Sequence, residues 1–97
     1  MSHRDQLENV PQRSAAKEKL VATAAGWGAT AARQVIPRVQ AAATKDEVSA
    51  LLNELARAIV SEARTRFSDA PALAEVWRVA AHEAACAQLS AVEWQGP

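Results

Sequence analysis

LAEVWRVAAHEAACAQLSAVEW, residues 73–94, is the stretch whose reading decides the fold. Within it Leu73, Trp77, Ala80, Ala84, Ala87, Ala91 and Trp94 recur at a spacing of 4-3-4-3-4-3. That heptad period places all seven side chains on one stripe of an α-helix. Alanine occupies the middle of the stripe, with Trp77 near one end and Trp94 at the other. Such a seam buries little area but admits a second helix at close range. The helix it belongs to is therefore expected to pack against another, in the same chain or in a partner.

Working outward, the segment before this helix reads Ser68-Asp69-Ala70-Pro71. Ser68 or Asp69 is expected to cap the helix, with Pro71 in the first turn, where its missing N–H is tolerated. Further back, Thr44-Lys45-Asp46-Glu47 reads as a capping box. The Thr44 hydroxyl accepts from the Glu47 N–H, and the Glu47 carboxylate returns to the Thr44 N–H. Asp46 and Glu47 also suit the positive end of the helix dipole. The helix that follows turns Val48, Leu51, Leu52, Leu55, Ile59, Ala63 and Phe67 inward, with Glu54, Arg57, Ser61, Arg64 and Thr65 outward.

The first long helix is expected to start at Ser14 as N-cap and to bury Leu20, Ala24, Trp27, Ala31 and Val35. Gly26 and Gly28 flank Trp27, and each mid-helix glycine costs about 1 kcal/mol relative to alanine. A continuous helix through both implies close approach, with Ala24, Gly28 and Ala32 as a small-residue row beside the tryptophan. Pro37 lacks an N–H and clashes with the preceding turn, so a kink or a short helical piece is expected after it. Pro11 is expected to close off residues 1–12 as a short polar arm.

Composition supports the class. Of the 97 residues 24 are alanine, the best helix former, against three Gly, four Pro and no Tyr. The expectation is an all-α, antiparallel three-helix bundle with helices at about 14–35, 45–67 and 70–94, forming one domain over residues 13–97. Large apolar residues are few, and a chain of this length buries only about 60–70% of its unfolded surface, which favours self-association.

Net charge is zero, but residues 1–45 hold seven Lys/Arg and three acids, whereas residues 46–97 hold four Arg and eight acids. The two halves complement each other within one bundle. A basic face for nucleic acid, built from Arg13, Lys17, Lys19, Arg33 and Arg38, is the competing reading. These residues are not clustered in sequence, and no helix-turn-helix signature accompanies them. Residues 20–32 carry no charge but are too short and too weakly apolar to span a membrane, which takes about 20 residues. Cys86 is the only cysteine, so an intrachain disulfide is impossible. With no targeting signal, a cytoplasmic location is expected.

Chemistry-bearing residues are sparse. His82 and Cys86 lie one turn apart, and with Glu83 they resemble part of the zinc-protease motif, whose second histidine is cysteine here. A structural zinc site takes four protein ligands and a catalytic one three, and His3 is the only other histidine. Histidine phosphotransfer domains are helical bundles of similar size with an exposed helical histidine. Their basic residue three positions on, followed by glycine, is replaced here by Ala85 and Cys86. No carboxylate or oxyanion donor stands ready to activate Cys86, which reads as a small core residue. The residues imply no catalytic, metal or cofactor site. The function expected is a small non-enzymatic interaction module, an accessory or regulatory subunit that forms a homodimer. Its partner contacts are expected at Trp77, Ala84, Ala87, Ala91 and Trp94.

Overall fold

The computed structural model describes the backbone of residues 3–92 and the side chains of residues 15–92. Three helices follow one another: α1 (His3–Ala41), α2 (Lys45–Arg66) and α3 (Pro71–Ser90). There is no strand among the described residues. Short connections reverse the chain twice, so α2 runs antiparallel to both neighbours and α3 runs parallel to α1. The chain is an all-α three-helix bundle in which α1 and α3 share the largest interface.

α1 is longer than its sequence suggests. It neither begins at Ser14 nor ends at Val35, and it passes through both Pro11 and Pro37. Each proline removes one i→i−4 hydrogen bond. Beyond Pro37, burial of Val39 holds the last turn onto the bundle. At about 58 Å, α1 far exceeds α2 and α3, at about 33 and 30 Å. The molecule accordingly measures 67 × 26 × 15 Å. Its radius of gyration is 17.4 Å, against about 13 Å for a compact domain of this length.

The core is built from Ala24, Ala32, Leu55, Ile59, Ala63, Trp77, Ala80, Ala81 and Ala85. Among the described side chains only Trp77 and Ile59 are large and fully buried. Gly28 faces the backbone of Ala81. A Cβ at position 28 would lie 2.7 Å from the Ala81 carbonyl carbon and 2.8 Å from its Cα, nearer still to its oxygen. The expected close approach at this glycine is therefore real, and its partner is α3. Trp27 lies over the crossing with its ring centroid 5.3 Å from that of Trp77, inclined at 58°. The Arg66 guanidinium covers Trp77 at 5.1 Å, a cation–π contact.

Helix ends follow the sequence in part. Thr44 Oγ1 accepts from the Glu47 N–H at 3.1 Å, as a capping box requires. The Glu47 carboxylate, however, accepts from the Ala43 N–H at 2.8 Å, one residue before the expected amide. At the second junction neither Ser68 nor Asp69 caps α3. The Ala70 N–H donates to the Phe67 carbonyl at 3.1 Å, which turns the chain tightly and leaves Ala70 as N-cap with no side-chain hydrogen bond. α3 ends at Ser90 rather than near Trp94, and Trp94 lies outside the described residues.

Candidate interaction surface

α3 meets α1 at Trp77 and Ala81 and lines grooves shared with α2 at Ala74, Arg78, Ala85 and Leu89. Its buried arc is centred near Ala81. The heptad stripe of Leu73, Ala80, Ala84, Ala87 and Ala91 is rotated from that centre by about 80°, at about 100° per residue. Trp77 is 1% exposed and belongs to the internal core, so it is not available to a partner. Ala84 is half-buried, Ala87 and Ala91 are exposed, and Leu73 is 47% exposed. Of the stripe's described residues only Trp77 and Ala80 reach the core, where Ala81 and Ala85 join them. Alanine occupies nearly every side of this helix, so the period alone cannot distinguish the inner alanines from the outer ones.

The displaced stripe forms one side of a surface. α2 covers only one face of the layer formed by α1 and α3. On the opposite face α1 presents Ala22, Ala25, Ala29 and Ile36, and α3 presents Leu73, Val76, Ala87 and Ala91. Ala25, Ala29, Ile36 and Val76 are half-buried and the other four are exposed. Exposed charges border this apolar strip at Glu18, Arg33 and Glu83. Total accessible surface is 6836 Å², whereas a compact monomer of this mass exposes about 5,400 Å². The elongated shape set by α1 carries part of the excess.

A second apolar concavity, of about 280 Å³, lies between α2 and α3. Leu55, Ile59 and Leu89 line it together with Leu52, expected inside but 37% exposed. His82 and Cys86 stand at this groove, with Nε2 and Sγ 3.4 Å apart. Both are exposed, which corrects the expectation that Cys86 is a core residue: α1 and α2 occupy the opposite side and flank of α3. Among the described residues no three His, Cys, Asp or Glu side chains gather where they could hold a metal ion.

The basic residues of the first half are dispersed. Lys17 projects from the opposite side of α1 to Lys19 and Arg33, which stand about 21 Å apart along the helix, while Arg38 pairs with Glu54 at 3.4 Å. The side chain of Arg13 lies outside the described residues. No described helix is long and apolar enough to cross a membrane. Beside the groove between α2 and α3, Arg78 grips Glu75 with bonds of 2.5 and 3.1 Å. That hydrogen bonding, more than the charge of Arg78, holds the Glu75 carboxyl below its usual range. Comparison of the chain with protein-family models, with curated proteins and with solved structures finds no match.

Proposed function

We propose that this chain is a non-enzymatic helical interaction module that associates with itself through the face of the α1–α3 layer that α2 leaves uncovered. The observation that carries the reading is that this face is apolar along both helices, with Leu73 at 47% exposure. Burial against a second copy would remove that surface from water, at about 25 cal/mol for each Å². A standard interface needs about 800 Å² from each partner, and the surplus area of this elongated molecule accommodates it. Zero net charge means that two copies meet without long-range repulsion.

Light scattering on the eluting chain at micromolar concentration tests the reading. Twice the monomer mass of 10.3 kDa is expected, and a monomer at all concentrations refutes it. Leu73→Glu places a charge on the uncovered face without entering the core, so it is expected to yield a folded monomer. Steeply salt-dependent binding to nucleic acid would instead favour a regulator using the basic first half.

A further inference from the structure

Gly28 is accounted for by Ala81, but Gly26 is not. A Cβ at Gly26 would meet nothing within 4 Å, although the glycine weakens the middle of a long helix. It lies beside a line formed by Glu18, Ala22, Ala25, Ala29 and Arg33 on the uncovered side of α1. Glu18 has no ion-pair partner among the described residues, and Arg33 reaches only Thr30 Oγ1, at 3.3 Å. Glu18 and Arg33 lie at equal distances on either side of the midpoint between Ala25 and Gly26. Ala22 and Ala29 are likewise equidistant from it. A line of this kind complements its own reverse: opposite charges about 22 Å apart at its ends, with only small residues between.

We infer that a second copy of this chain docks with its α1 antiparallel on the first. The two-fold axis crosses at Ala25 and Gly26, and Glu18 of each copy pairs with Arg33 of the other. This rests on the self-association reading and specifies its register. Gly26 then has a role, since without a Cβ it lets the two α1 backbones approach. α3 runs parallel to α1 with Ala81 level with Gly28, so the same axis passes α3 between Val76 and Ala80. That brings Leu73 of each copy towards the small Ala84 of the other. The product is a two-layer, four-helix core with α2 on the outside of each copy.

Charge reversal tests the register. Glu18→Arg or Arg33→Glu alone creates two like-charged pairs and is expected to raise the dimer dissociation constant about tenfold. Combining the two reversals restores the opposite pairing and the wild-type constant. Both residues are exposed, so helicity by circular dichroism stays unchanged throughout. Gly26→Leu abolishes the dimer by holding the helices apart, again with helicity retained. A dimer that neither single reversal nor Gly26→Leu weakens overturns the register while leaving self-association standing. A dimer weakened by the single reversals but not restored by their combination overturns the Glu18–Arg33 pairing. A wild-type chain that remains monomeric overturns both the register and the reading beneath it.

Discussion

Two glycines separated by one tryptophan have opposite roles. At Gly28 a methyl group would enter the Ala81 backbone, and backbone cannot rotate aside as a side chain can. Gly28→Ala is therefore expected to destabilise the chain by about 1–3 kcal/mol through overpacking, measured by urea unfolding. Gly26→Ala meets open space within the chain and is expected to stabilise the dilute monomer by about 0.5–1 kcal/mol. If a second helix approaches there, the same substitution weakens association. That opposition distinguishes close approach from an idle glycine. Glu75 supplies a titration test. Hydrogen bonding from Arg78 lowers its folded-state value, so its contribution to stability is present above the unfolded carboxylate value. It is lost as pH falls through the lowered one. Carboxyl resonances of the wild type and of Arg78→Ala should show Glu75 titrating at lower pH in the wild type.

The helices are held by signals of unequal legibility. Thr44 was readable as a cap because its chemistry is local: hydroxyl and N–H belong to the same turn. Thr44→Ala is expected to cost about 1 kcal/mol in thermal unfolding. The α2–α3 junction misleads, since Asp69 and Ser68 are good caps by type but the turn closed by Ala70 and Phe67 leaves them ahead of the N-cap position, which Ala70 holds. Proline misleads in the other direction. The helix continues past Pro37 because burial of Val39 outweighs the hydrogen bond lost at the Arg33 carbonyl. Pro37→Ala restores that bond and is expected to raise stability by up to about 3 kcal/mol, with α1 unchanged in length.

At the scale of the molecule, the thin core makes the outcome depend on which alanines face inward. Ala85→Glu forces a charge into a fully packed position and is expected to abolish cooperative unfolding, whereas Ala87→Glu remains folded. Near-ultraviolet circular dichroism of the two variants separates the outcomes. The contrast follows from the buried arc of α3, which is centred on Ala81 rather than on the heptad line. Of the residues expected at a partner interface, Trp77 went into the core, while Ala87 and Ala91 stayed outside.

Helical class, the number of long helices and the α2 cap were determined by the sequence, because alanine content, hydrophobic period and capping chemistry act over a few residues. The close approach at Gly28 was also legible there, since a mid-helix glycine beside alanines has few other uses. Only the tertiary structure decided which face of α3 turns inward and how far α1 extends. It also decided that α2 leaves one side of the α1–α3 layer bare. An alanine-rich helix looks much the same from every side until a neighbouring backbone, here Gly28 against Ala81, selects the side to be buried.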